Sequence, residues 1–236
     1  MANEKVISLE ALIQKFQYAL DNKWGYIWGA AGVLWTEAKQ KSATREMTVK
    51  YGAQWVGHYV ADCSGLFTWA FKQLGGYMYH GSDTMYRKYC TSKGKLSKGK
   101  RTDGNELKPG TAVFVWKEKD QKYGHVGLYV GNGYVIEAAS TRQGVIRSKV
   151  TDSKWTNWGE LKGVSFESEP VPAGYADVTG TRVALRKDPS QKADIIMRID
   201  TGVRVKIENP PPSDWDYVSY NGKTGWMMKK FLDEGK

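Results

Sequence analysis

The chain has 236 residues, 13% of them aromatic and 25% charged. That composition excludes global disorder and suits one large domain or two unequal ones. Two cysteines are too few for a disulfide scaffold or a thiolate zinc site, and no apolar run approaches the ~18 residues of a membrane helix. The net charge of +10 is unevenly placed: residues 1–166 hold 24 basic and 14 acidic side chains, residues 167–236 hold 11 of each. Such a field suits a polyanion, whether nucleic acid, anionic lipid or anionic wall polymer, and does not choose among them.

The opening Met1-Ala2-Asn3-Glu4-Lys5-Val6 is not followed by the apolar stretch of a secretory signal. The expectation is synthesis in the cytoplasm without a leader. Ser8 fits a helix N-cap, and Leu9, Leu12, Ile13, Phe16, Ala19 and Leu20 follow at helical spacing, predicting a helix over 9–22. A Trp/Gly-rich segment, Trp24 to Ala30, comes next. Residues 36–54 are polar without clear periodicity and read as an ordered insertion or loop. A second helix should start near Asp62-Cys63-Ser64. Leu66, Phe67, Trp69, Ala70, Phe71 and Leu74 make it apolar around much of its circumference, hence buried, and Gly75-Gly76 ends it. The basic, Gly-dotted stretch 88–108 reads as a solvated loop.

From residue 111 the period changes to two, predicting strands over 111–116, 125–130 and 134–139. Glu169-Pro-Val-Pro-Ala-Gly174 resembles an interdomain linker. Short strand patterns over 182–185, 195–199, 203–207, 217–220 and 225–228 then predict a small β-barrel. Pro210-Pro211-Pro212 reads as a rigid turn. The domain organisation expected is thus 1–166, a linker over 167–174, and 175–236.

Cys63 stands at the predicted start of a buried helix. Partial positive charge and unpaired N–H groups there favour thiolate over thiol. A structural buried cysteine and a Cys63–Cys90 disulfide are the alternatives. A thiol nucleophile needs a base, and the base an orienting partner. Of His58, His80 and His125, only His125 has a candidate partner, Glu137 on the next strand. A two-residue loop at Asn132-Gly133 would put Glu137 opposite Leu128, facing away from His125. A three-residue loop, Gly131 to Gly133, would put it opposite Gly127 on the His125 face. Only the second register gathers Val126, Leu128, Val130, Tyr134, Ile136 and Ala138 on one apolar face.

These residues resemble a known family. Asp62-Cys63-Ser64-Gly65-Leu66, Gly124-His125-Val126-Gly127-Leu128-Tyr129-Val130-Gly131 and Val135-Ile136-Glu137-Ala138 are similar to motifs of NlpC/P60 cell-wall peptidases, in the family's order. So are Tyr26-Ile27-Trp28-Gly29-Ala30 and Lys108-Pro109-Gly110. The resemblance covers about residues 9–166. It implies an α+β, papain-like catalytic domain with helices packed on an antiparallel sheet, which cuts an amide of the peptidoglycan stem peptide, commonly D-γ-glutamyl to a diamino acid, without metal or cofactor.

By that resemblance Cys63 matches the nucleophile, His125 the base, and Glu137 the imidazole-orienting position, where the family most often has His. Tyr26 matches a tyrosine near the oxyanion and substrate, and Asp62 and Ser64 match positions that contact the stem peptide. The 36 residues between Tyr26 and Cys63 are longer than usual, so the groove there is expected to differ. The C-terminal part resembles a bacterial SH3-type module, which commonly tethers hydrolases to the wall. The partners implied are stem peptides and anionic wall polymers, with no nucleic acid and no membrane. The expected site of action is the bacterial wall, after lysis, as for a phage-like endolysin, or after non-classical release. A CHAP-like N-acetylmuramoyl-L-alanine amidase and a non-catalytic wall-binding protein are the competing readings.

Overall fold

A computed structural model of the chain describes residues 6–166, 171–180, 182–208 and 214–235. The chain divides into two compact units, 1–166 and 167–236.

The first unit is built on a seven-stranded sheet in the order Lys100–Arg101, Cys90–Ser97, Asn157–Leu161, Ala112–Lys117, Lys122–Gly131, Tyr134–Ser140, Gly144–Lys149, antiparallel throughout. Helices Leu9–Asp21 and Cys63–Gln73 supply the apolar cover. Phe16 of one meets Phe67 of the other edge-on at 4.6 Å. These rings pack into one core with Phe114, Val126, Leu128 and Ile136 of the sheet. Val113, Val115, Val135, Trp155 and Trp158 form a separate buried cluster. The alternation of a strand sends neighbouring side chains to opposite faces, so one strand feeds both clusters.

Helix Leu9–Asp21 starts where Ser8 accepts a hydrogen bond from the Ala11 N–H. Helix Cys63–Gln73 starts where Asp62 accepts from the Gly65 N–H and ends at the Gly75 turn. The body of the His125 hairpin takes the register that apolar alternation favours, with Leu128 opposite Ile136 and Tyr129 opposite Val135. The turn is nevertheless two residues long. Gly131 closes it against Tyr134, and a bulge between Tyr129 and Gly131 restores the register. A bulge adds one residue to one strand, which is the amount by which the two candidate registers differ.

One stretch is an ordered insertion, one of its two expected forms, and another differs from expectation. Residues 36–54 contain helices Glu37–Lys41 and Glu46–Tyr51 and the 3-10 turn Gly52–Trp55. They are too short to show an amphipathic period. The basic stretch 88–108 is not simply a loop, since Cys90–Ser97 is a strand paired with Asn157–Leu161. Most of its side chains, including Lys93 and Lys95, face water and leave no apolar alternation to read. Strands Gly144–Lys149 and Asn157–Leu161 and helix Ser82–Lys88 also lie outside the elements predicted from sequence.

The second unit is an antiparallel, SH3-like β structure in the order Ile195–Ile199, Val183–Arg186, Lys223–Met228, Trp215–Tyr220, Arg204–Ile207, Tyr175–Val178, Leu232–Asp233. Ala176, Val178, Leu185, Val203, Val205, Val218 and Met227 form its core. The first and last strands of this unit, Tyr175–Val178 and Leu232–Asp233, were not among the predicted patterns. The proline run 210–212 and the first part of the expected linker, 167–170, lie outside the described residues.

Candidate active site

The Asp-Cys-Ser-Gly-Leu segment folds as a helix start because its first residues do different jobs. Asp62 caps, Cys63 and Ser64 follow within the first turn, and Gly65 admits a neighbour. A Cβ at Gly65 would lie 2.0 Å from the Ala30 carbonyl oxygen, so only glycine lets the Tyr26–Ala30 segment cross the helix tip this closely. That segment is bound there. The Asp62 N–H donates to the Ala30 carbonyl at 2.8 Å, and the Gly29 N–H donates to Asp62 Oδ2 at 2.7 Å. Asp62 Oδ1 accepts from the Gly65 N–H at 2.7 Å and from Ser64 Oγ at 3.1 Å.

His80, which has no partner in the sequence reading, lies with Nε2 2.9 Å from both Asp62 oxygens. The carboxylate therefore ties the helix tip, the Tyr26–Ala30 segment and the loop carrying His80 together. Tyr26, Asp62, Cys63, Ser64 and His80 share a cleft of about 650 Å³, whose far wall includes Lys122, Tyr123 and Gly124.

His125 follows Gly124 directly. Its Nε2 is 2.6 Å from Glu137 Oε2, and its ring stacks on Trp155 with centroids 5.7 Å apart. Gly127 makes the pairing possible, since a Cβ there would lie 2.5 Å from Val135 Cγ1, 2.9 Å from the Trp155 ring and 3.2 Å from Glu137 Cβ. The Glu137 side chain is fully buried. Its Oε1 accepts from Ser148 Oγ and, at 2.5 Å, from Lys154 Nζ. Burial alone would raise its pKa; the hydrogen bonds from His125, Lys154 and Ser148 outweigh it and hold the carboxyl at about 2. An ionised Glu137 only accepts, so the Nε2–H of His125 is the donor and Nδ1 is the ring nitrogen that faces away from Glu137.

The structure thus brings Tyr26, Asp62, Cys63 and Ser64 into one cleft and joins His125 to Glu137 in the adjoining strands. The link between the groups is Val126, whose backbone faces the Cys63 sulfur and lowers its pKa. Both cysteines are free, so the disulfide alternative is not realised. The expected thiolate is opposed by the surroundings. Burial, and then the Asp62 carboxylate, push the Cys63 thiol up to about 12, against lowering contacts from the backbone of Val126, Ser64 and Cys63. Desolvation outweighs the favourable field of the helix tip. Iodoacetamide labelling followed by mass spectrometry of the Cys63 peptide is therefore expected to be slow at pH 6. It should rise about tenfold per pH unit through pH 9; a plateau near pH 6–7 would contradict this.

Burial, then Cys63 and Asp62, raise the Tyr26 phenol well above the usual tyrosine range, so it stays a hydrogen-bond donor. The long segment between Tyr26 and Cys63 walls a second pocket of about 410 Å³, which shares Tyr26 and Trp28 with the cleft. Arg45 lies over the Trp28 ring there, 3.7 Å from its centroid. Among the described residues, no group of three or more His, Cys, Asp or Glu converges as a metal set, and no helix is long and apolar enough to cross a membrane.

The model of the NlpC/P60 family matches residues 43–161, half of the chain, spanning Cys63, His125 and Glu137. The chain belongs to the NlpC/P60 family. A bacterial SH3 domain model matches residues 181–233. Among curated proteins, this NlpC/P60 chain is 31% identical over 94 residues to the peptidoglycan DL-endopeptidase CwlO of Bacillus licheniformis, covering 40% of the chain and 18% of that relative. Solved structures similar to it include NlpC1 from Trichomonas vaginalis, at 20% identity and a TM-score of 0.44, covering 65% of this chain and 43% of that one. The peptidoglycan hydrolase RipB from Mycobacterium tuberculosis is another, at 24% identity and a TM-score of 0.42, covering 65% of each chain. The NlpC/P60 chain thus spans less than half of the first of these structures and under a fifth of the curated relative.

Proposed function

We propose that this NlpC/P60 chain is a cysteine endopeptidase that hydrolyses an amide in the peptidoglycan stem peptide, the D-γ-glutamyl bond to the diamino acid. The carrying observation is the His125–Glu137 pair at 2.6 Å, one residue from the backbone group that contacts the Cys63 sulfur. The name of the CwlO relative, a DL-endopeptidase, points to the same class of bond.

Because burial pushes the Cys63 thiol up, His125 works as a base rather than as half of a standing ion pair. Nδ1 takes the thiol proton as sulfur attacks the amide carbonyl carbon. The oxyanion rests on the Cys63 N–H and the Tyr26 hydroxyl. Collapse breaks the C–N bond, and the imidazolium returns the proton to the leaving amine. A thioester at Cys63 remains. Water then attacks it, giving one proton to His125, and the sulfur departs to recover the thiol. Glu137 stays ionised throughout and holds the ring. Asp62 and Ser64 line the cleft beside Cys63, where the stem peptide would lie.

The SH3-like unit tethers the enzyme to the wall and raises the local substrate concentration. Mass spectrometry of purified peptidoglycan after digestion checks the bond. The expected product carries a new amine on the diamino acid, and none forms with Cys63→Ala. A new amine on L-alanine would instead mean a sugar–peptide amidase.

A further inference from the structure

We propose that the SH3-like unit carries a binding pocket for a phosphate-bearing anionic wall polymer. The unit has equal numbers of acidic and basic residues, and nothing in that balance hints at an anion site. The fold, however, segregates the charges. Arg182, Arg186, Arg198 and Lys230 line one pocket of about 300 Å³ together with Trp215 and Phe231, and no carboxylate lines it.

Elsewhere in the unit cations are neutralised locally, as Arg204 is by Asp177, Lys187 by Asp194, Lys206 by Glu208 and Lys229 by Asp216. The four pocket cations make no ion pair among the described residues. Two of them are held in place by the main chain. Arg186 donates to the Ala193 carbonyl at 2.7 Å and Arg198 to the Arg182 carbonyl at 3.0 Å. A carbonyl fixes a guanidinium without cancelling its charge, so the remaining N–H groups stay available to an anion. Like charges gathered without counter-charge repel one another, and an anionic ligand relieves that repulsion.

Guanidinium groups match phosphate oxygens in pairs, and Trp215 and Phe231 in the lining, the latter with the Lys230 ammonium 5.0 Å from its ring centroid, offer apolar contact to the carbon chain between phosphates. The cations line one pocket of about 300 Å³. That geometry fits one or two phosphodiesters of a flexible polyol chain better than the continuous backbone of a nucleic acid, which needs an extended basic track. The pocket lies wholly within the second unit, so the inference stands whether or not Cys63 is a nucleophile.

The test uses the full chain with Cys63→Ala, to stop turnover, and measures binding to purified walls and to a poly(glycerol phosphate) chain. Walls stripped of phosphodiester polymers with hydrofluoric acid are expected to bind about tenfold more weakly. Arg182→Gln with Lys230→Gln, confirmed folded by circular dichroism, should weaken binding to intact walls and to the polymer by a similar factor. The salt dependence should also become shallower by about 0.7 in log–log slope per lost phosphate contact. The charge-matched pair Lys95→Gln with Lys98→Gln, in the first unit, should have a much smaller effect. Unchanged binding to stripped walls would overturn the proposal even if the variants fail to fold. So would equal losses from the two variant pairs, or tighter binding to a DNA strand of matched phosphate number.

Discussion

Replacing His125 by alanine is expected to lower kcat/KM on purified peptidoglycan by about 10⁴-fold, and adding Cys63→Ala should cost little more, because groups that act as one unit lose their joint contribution together. His125→Gln separates the base from its position. The glutamine amide can still donate to Glu137, but it cannot take the thiol proton. The base assignment predicts that Gln is as inactive as Ala. A purely structural histidine predicts that Gln restores activity. Neither change should unfold the protein, because Glu137 keeps Lys154 and Ser148 as partners and the Trp155 cluster is otherwise intact.

Glu137→Gln is expected to damage both activity and stability. It leaves the His125 ring without an anionic anchor and Lys154 without its counter-charge; activity should fall about 10⁴-fold, as when an orienting carboxylate is neutralised in other triads. The stability effect has a defined pH window. The folded carboxyl is held at about 2, against an ordinary 4.5, so the unfolded chain binds more protons between those values. Its stabilisation is full above about pH 4.5 and is lost as pH falls through 2. The size at neutral pH is about 3 kcal/mol. Thermal or denaturant melts of both proteins from pH 7 to pH 2 should show their stability difference shrinking across that window. A pH-independent difference would mean that the ionised Glu137 is not what the fold relies on.

The meeting of His125 and Glu137 was legible in the sequence because strand alternation is a strict period. Only one register put all the apolar side chains of the hairpin on one face, and that register also put the imidazole and the carboxyl together. The bulge that reconciles it with a short turn was not legible, since Gly131 and Asn132-Gly133 satisfy either loop. Helix Cys63–Gln73 was legible from its cap and its apolar run. Its effect on the thiol was not. The helix tip alone argues for a thiolate, whereas burial against the sheet, a tertiary property, argues more strongly the other way.

His80 and Lys154 were missed for a related reason. Each reaches a carboxylate through a loop that has no periodicity, across 18 and 17 residues of chain, and nothing local marks it. The cationic pocket of the second unit was hidden because a tally of charges cannot say which face they occupy. The strand within the basic stretch 88–108 was hidden because its outward side chains are solvated, which removes the alternation that identifies a strand.

The proposed hydrolysis at this site requires a transient covalent bond between substrate and the sulfur of Cys63. Acid-quenching the protein during its first turnovers on a soluble stem peptide, then measuring its intact mass and mapping the adduct, tests this directly. The prediction is a transient mass increase equal to the acyl half of the peptide, located on Cys63. Full-rate product release with no adduct at Cys63, or with Cys63→Ala still turning over, would contradict it.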